Sequence, residues 1–186
     1  MRFAPAMAGS GHAQCARIGP VVPHRIRRKL MNAAESTDAS RELQLLAQLV
    51  VKQGVGLGGL PPAQQARALS LVWASLPSAA VNEAGINQVL KAQLAGPAAF
   101  LDTDHVELRR WLVDTGCLQR DGYGRAYRQV PIDALPASFQ TLARALLALD
   151  TQAWVQDQRA AQAAARAARR AAWQDRARHD PGGACT

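Results

Sequence analysis

Three carboxylates and an imidazole lie within six residues near the middle of the chain, at Asp102, Asp104, His105 and Glu107. Carboxylate oxygens and imidazole nitrogens can bind metal ions. The same residues also suit the start of a helix, where Asp104 would cap backbone N–H groups and Glu107 stands at capping-box spacing. Because the acids do not share one helix face and no second ligand cluster exists, we expect a helix cap and no metal site.

Other patterns that carry enzyme chemistry are missing from the sequence. No Ser-His-Asp, Cys-His or paired-carboxylate arrangement stands out. The cysteines at 15, 117 and 185 form no CxxC pair, so we expect reduced thiols. The glycines of 54–59 resemble a phosphate loop, but no strand precedes them and Leu60-Pro61-Pro62 follows where such a loop has Lys-Ser. We expect no enzyme activity and no cofactor.

Arginines and a tyrosine offer a different chemistry, which is contact with nucleic acid. Arginine can bridge guanine O6 and N7 or clamp a phosphate, and an aromatic side chain at a hairpin tip suits the backbone or the minor groove. The candidate nucleic-acid-binding residues are Arg109, Arg110, Arg120, Tyr123, Arg125 and Arg128.

Each of these candidates also has a structural interpretation. Arg109 and Arg110 could form ion pairs with Glu107, with Asp114 or with a neighbouring helix. In the hairpin, Tyr127 could pack inward, and the arginines could be a solvated edge that blocks sheet pairing. Both pairs of alternatives stay open at this point.

Helix and turn signals predict the elements that position these residues. Four helices are predicted from the spacing of apolar residues, proline in first turns and glycine after helix ends. Their ranges are 40–53, 61–76, 83–95 and 102–116, the last with acids at its start and Gly116 at its C′ position. Asn82 and Asp104 are the predicted caps. Residues 117–130 then predict a hairpin around Asp121-Gly-Tyr-Gly124. A mainly α fold with a small β-hairpin follows, a winged-helix-like domain over residues 40–136 whose central part is 61–130.

The same residues resemble a known family. Leu108 to Arg120 match the pattern Leu-Arg-Arg-x-Leu-Val-Asp-x-Gly-x-Leu-x-Arg, and Gly124 and Tyr127 match the Gly and Tyr of its hairpin. Upstream, the matches to its Glu-x-x-Val-Asn-x-x-Leu helix are Glu83, Ile86, Asn87 and Leu90. Over roughly residues 43–130 the chain is similar to the bacterial family called domain of unknown function 2087.

The resemblance implies a winged-helix-like module that occurs alone or joined to helix-turn-helix regulators. It therefore implies a link to transcription without assigning an activity. Gly85 stands where the family usually has an acid, and Ala and Gln largely replace the basic residues after its first proline. The missing basic residues weaken the expectation of DNA binding relative to a typical member.

The charge of the chain is concentrated at its N-terminus. Residues 1–30 carry six basic and no acidic residues, which accounts for +6 of the net charge of +8. Without an apolar period, residues 1–39 are expected to be a disordered leader, and Met31 is an alternative start of translation. The run His24–Lys29 could be a basic arm for nucleic acid or part of a transit-like segment. Residues 40–136 carry nine basic and eight acidic residues and are almost neutral.

The C-terminal part, residues 137–186, predicts one apolar packing helix and one Ala/Arg-rich helical tail. The packing helix, residues 137–153, could cover the domain or pair with a second copy. Beyond Trp154, Arg159, Arg166 and Arg170 share a face with Trp173 close by. This tail could lie on nucleic acid or on an anionic membrane surface, but a solvated helix is the expectation because its apolar face is mostly alanine.

No segment has the roughly 20 consecutive apolar residues of a membrane span, and no export signal is evident, so we expect a cytoplasmic protein. The leading hypothesis is a bacterial, non-enzymatic winged-helix protein, associated with transcription, that binds DNA through Arg109, Arg110 and the hairpin. The alternative is a protein–protein interaction module that binds a regulator, or a second copy through residues 137–153, without touching DNA.

Overall fold

A computed structural model describes the backbone of residues 24–179 and the side chains of residues 36–176 and Arg178. The helices are α1 (His24–Val50), α2 (Pro62–Trp73), α3 (Glu83–Ala95), α4 (His105–Asp114), α5 (Ala137–Leu147) and α6 (Thr151–His179). The strands are β1 (Val81–Asn82), β2 (Leu118–Arg120) and β3 (Ala126–Gln129). The mainly α fold with a small hairpin is confirmed. In the part of the chain with described backbone, no helix combines the length and apolarity needed to span a bilayer.

The three strands form one antiparallel sheet in the order β1-β3-β2. The hairpin of β2 and β3 pairs Leu118 with Gln129 and Arg120 with Tyr127. On the other side of β3, Val81 of β1 also pairs with Tyr127. The strand β1 was not predicted, because two residues give no alternation that could be recognised in a sequence.

Helix α2 lies in the core and connects the sheet to the other helices. Its buried residues are Ala66, Ala68, Leu69, Ser70, Leu71, Val72 and Trp73. The indole N–H of Trp73 donates to the carbonyl oxygen of Val130 at 3.0 Å, and the Gln129 amide donates to the carbonyl oxygen of Trp73 at 2.8 Å. These two hydrogen bonds attach the end of the hairpin to the C-terminal end of α2.

The first helix begins earlier than predicted. The backbone of α1 is helical from His24, so the structure differs from the predicted disorder over residues 24–39. Ala, Arg, Leu, Met and Glu are good helix formers, and a helix extends at little cost once it is nucleated. Residues 1–23, the remainder of the predicted leader, lie outside the described residues.

The predicted packing helix over residues 137–153 is in fact two helices, since α5 ends at Leu147 and α6 begins at Thr151. The break follows from Asp150, whose carboxylate accepts hydrogen bonds from the backbone N–H groups of Gln152 and Ala153, both at 3.0 Å. A side chain that caps a new helix in this way favours a turn before it.

The apolar face of α5 packs within its own chain. Phe139, Leu142, Ala143 and Leu146 are all buried, and α5 packs mainly against α2. This apolar face, which the sequence offered as a surface for a second copy, is therefore covered by α2 of the same chain. The first turns of α6 also pack on the domain, because Val155 is buried.

Candidate nucleic-acid interface

The acid cluster at the start of α4 is a helix cap. One carboxylate oxygen of Asp104 accepts hydrogen bonds from the backbone N–H groups of Val106 at 2.7 Å and Glu107 at 2.8 Å. These bonds, with the one from Glu107 as the larger cause, lower the pKa of Asp104. The Glu107 carboxylate accepts from the Thr103 hydroxyl at 2.8 Å and the Trp111 indole at 3.4 Å. Within residues 36–176 the structure holds no group of three ligating side chains suited to a metal.

Arg109 faces inward from α4 and contacts two other elements. Its guanidinium donates to Glu83 at 2.9 Å and to Asn87 at 2.6 Å, both on α3. It also lies 5.3 Å from the ring centroid of Tyr127 on β3, within cation–π range. Only 14% of the Arg109 side chain is exposed. The candidate base-reading residue is thus held in an ion pair with a neighbouring helix, one of the two interpretations open from sequence.

Arg110 points into solvent and makes no hydrogen bond or ion pair with the described residues. The exposed residues around it on α4 are mostly acidic, namely Asp104, Glu107 and Asp114. Of the two arginines predicted to enter a DNA groove, one is available, and it lies among carboxylates that a phosphate backbone would repel.

The hairpin tip is an ordered turn. The backbone N–H of Arg125 donates to the Asp121 carboxylate at 2.6 Å. Hydrogen bonds from backbone N–H groups, that of Ala126 first, lower the pKa of Asp121. Gly124 has a φ of 71°, in the region that favours glycine, and the Arg120 guanidinium occupies the space that a Cβ on Gly124 would need.

Four of the predicted hairpin residues are exposed and could meet a ligand: Arg120, Tyr123, Arg125 and Arg128. Tyr123 is 85% exposed, and the Arg125 guanidinium lies 5.8 Å from the centroid of its ring. Arg128 donates to the amide oxygen of Gln119 at 3.1 Å. No arginine of the hairpin is in a salt bridge with another described residue. We call these four residues the wing cluster.

Tyr127 does not belong to the wing cluster, because it is 3% exposed and packs into the core. Its inward position was one of the alternatives drawn from the sequence. Sequence reasoning missed Glu83 and Asn87 as the partners of Arg109. All three residues belong to the family pattern, and Glu83 and Asn87 share one face of α3, but no sequence signal places that face against Arg109 on α4.

Residues 61–129 match the model of a family described as "Uncharacterized protein conserved in bacteria (DUF2087)". The match begins just before α2 and ends with β3, so it covers α2, α3, α4 and the sheet. Residues 43–60, which the resemblance also included, lie outside it. Comparisons with curated proteins and with solved structures found no match. Just over a third of the chain, residues 61–129, is therefore similar to the DUF2087 family.

Proposed function

We propose that the DUF2087 domain is a non-enzymatic winged-helix-like module, associated with transcription, that binds the DNA backbone through its wing cluster. The order α2, β1, α3, α4, β2, β3 and the sheet order β1-β3-β2 support the winged-helix part of this proposal. The observation that carries the DNA part is three exposed arginines, none in a salt bridge with a described residue, beside an almost fully exposed Tyr123.

In this proposal the wing cluster positions the protein on the DNA backbone, and α4 contacts few base edges. Contacts to phosphates set the register of a protein on DNA but carry no sequence information. Since Arg109 is bound to Glu83 and Asn87, Arg110 is the arginine of α4 left to reach a base edge. We therefore expect binding with weak sequence preference.

The test is the affinity of the full chain for a duplex of about two helical turns, measured by fluorescence anisotropy. Arg125→Ala and Arg128→Ala should each weaken binding about fivefold on every sequence, from roughly 1 kcal/mol per charge-assisted contact. The matched control is Arg41→Ala, which removes one exposed positive charge from α1. Equal affinities for the two hairpin variants and the control would remove the basis of the proposal.

The second candidate function is protein–protein interaction through α4. Its supporting observation is the acidic character of the exposed α4 face, where Asp104, Glu107 and Asp114 outnumber Arg110. Such a surface suits a basic partner. A second copy bound through residues 137–153 has less support, because Leu147 and Leu149 are the large apolar residues that α5 and its end leave exposed. DNA affinity that is insensitive to the hairpin arginines favours this second candidate.

A further inference from the structure

Arg159 adds hydrogen bonds to the apolar packing of Val155 that attaches helix α6 to the domain. The guanidinium of Arg159 donates to the carbonyl oxygens of Val50 at 3.2 Å, Gly96 at 3.2 Å and Pro97 at 3.0 Å. Val50 ends α1, and Gly96 and Pro97 follow α3, so these carbonyls lie at helix ends, where backbone acceptors are not used within the helix. These hydrogen bonds occupy the guanidinium group of Arg159. They also orient the face of α6 that carries Arg159 towards the domain.

That same face continues beyond the packed part of the helix. From residue 163 to residue 176 every side chain of α6 is exposed. At 3.6 residues per turn, the residues that follow Arg159 on its face are Gln162, Arg166, Arg169, Arg170 and Trp173. Trp173 is 67% exposed. The N-terminal part of this face therefore packs on the domain, whereas its C-terminal part exposes a row of arginines followed by Trp173.

Two adjoining hollows lie along this row. One, of about 490 Å³, lies between residues 50–53, Ala99, Phe100 and α6. The other, of about 280 Å³, is lined by Arg166, Arg169, Arg170 and Trp173. Arg166 and Arg170 line both hollows. We call the combined feature the α6 trough.

The α6 trough is positively charged without compensation. Its lining residues include no carboxylate. Lys52, Arg166, Arg169 and Arg170 make no hydrogen bond or ion pair with the described residues. Four cations without a partner among the described residues favour an anionic ligand.

We propose that the α6 trough binds single-stranded nucleic acid, with phosphates on Lys52 and the arginines and one base stacked on Trp173. The distance along the helix from Arg166 to Trp173 is about 10 Å at 1.5 Å per residue, so the arginines and the tryptophan can contact neighbouring nucleotides of one strand. Base stacking on an aromatic side chain needs an unpaired base and tolerates any sequence. An exposed tryptophan beside arginines therefore fits a single strand better than a duplex.

Two other occupants fit the trough less well. An amphipathic helix on a membrane needs a broad apolar face. The apolar residues in the exposed part of α6 are mostly alanine, so the helix would insert little apolar area. A second copy of this trough would bring like charges together. The trough lies outside residues 61–129, so this proposal does not depend on the wing cluster.

The test uses the full chain and labelled oligo-dT and oligo-U of about 12 nucleotides, within the site sizes of single-strand binders. Trp173→Ala should weaken binding about tenfold or more and abolish the quenching of tryptophan fluorescence by the oligonucleotide. Arg166→Ala and Arg170→Ala should each lower the slope of log affinity against log salt by about 0.7. Comparing the two oligonucleotides shows whether the ligand is DNA or RNA.

Matched controls separate this site from general charge effects. Arg178→Ala removes one arginine from another face of the same helix and should leave affinity and quenching near those of the wild type. Alanine preserves helicity at all four positions, which circular dichroism verifies. Arg41→Ala removes one exposed arginine of α1, outside both the trough and the wing cluster, and should bind the single strand like wild type.

Two results would overturn the proposal. In the first, Arg166→Ala, Arg170→Ala and Trp173→Ala all bind single strands as Arg178→Ala does. In the second, poly-glutamate or anionic vesicles displace the oligonucleotide and Trp173→Ala has no effect, which would make the trough a general site for anions.

Discussion

At the scale of single residues, Arg109 and Arg110 are neighbours with opposite roles. Arg109 joins α4 to α3 and β3 through Glu83, Asn87 and Tyr127, whereas Arg110 is exposed. Arg109→Ala should lower the free energy of unfolding by about 1–3 kcal/mol, because it removes charge-assisted hydrogen bonds from a largely buried side chain. Arg110→Ala should change it by less than about 0.5 kcal/mol. Urea unfolding of both variants measures the difference, and equal small effects would contradict the structural role of Arg109.

Cys117 allows a prediction about pH. Burial is the main cause that raises the pKa of the Cys117 thiol to about 11. Only the thiolate is alkylated, so at pH 8 about one molecule in a thousand is reactive, and the rate should rise about tenfold per pH unit up to pH 10. A variant with Cys15→Ser and Cys185→Ser isolates this thiol in an iodoacetamide assay. Labelling at pH 8 as fast as that of the urea-unfolded chain would show that Cys117 is accessible.

At the scale of elements, the hairpin turn depends on Gly124. A side chain at this position would have to adopt a φ of 71° and would meet the Arg120 guanidinium. Gly124→Ala should therefore lower the free energy of unfolding by about 1–2 kcal/mol and displace Arg120 from the wing cluster. Gly122→Ala is the control, because no atom lies within 4 Å of a Cβ added there. Thermal unfolding of the two variants makes the comparison, and similar melting temperatures would show that the turn does not need glycine.

The attachment of α6 gives a second prediction about elements. Arg159 contacts three carbonyl groups with three different nitrogen atoms. Lysine has one nitrogen and cannot reproduce this fork, so Arg159→Lys should destabilise the chain almost as much as Arg159→Ala, by about 1–3 kcal/mol. Urea unfolding measures the loss of unfolding free energy. Stability of Arg159→Lys equal to that of the wild type would show that a single positive charge replaces the three hydrogen bonds of Arg159.

Local signals explain which elements the sequence predicts. The caps of α3 and α4, Asn82 and Asp104, act on backbone groups two or three residues away, so both helix starts could be recognised. By contrast, β1 forms only by pairing with β3, and Arg159 reaches partners 62 to 109 residues away. Contacts at such separations leave no periodic trace in the chain.

The candidate site was predictable to a similar extent. Turn chemistry places Arg120, Tyr123, Arg125 and Arg128 at the hairpin, and the structure leaves all four exposed. The contacts of Arg109 could not be assigned from sequence. Its position is one residue from the buried stripe of α4, so its side chain could face either solvent or α3. Only the packing of α3 against α4 decides between them.

At the scale of the whole molecule, most of the net positive charge lies in the N-terminal segment. Residues 1–30 carry six basic residues and no acid, whereas residues 40–136 have a net charge of +1. Any measurement of binding to a polyanion thus contains a contribution from the N-terminal segment. Differences between variants of the full chain cancel that contribution, because every variant retains it.

The salt dependence of duplex binding tests the role of the wing cluster most directly. Log affinity falls with log salt by about 0.9 for each phosphate neutralised. The full chain with Arg125→Ala and Arg128→Ala together should therefore show a slope smaller by about 2 than the wild type, while Arg41→Ala keeps the wild-type slope. An unchanged slope in the double variant would contradict DNA binding by the hairpin.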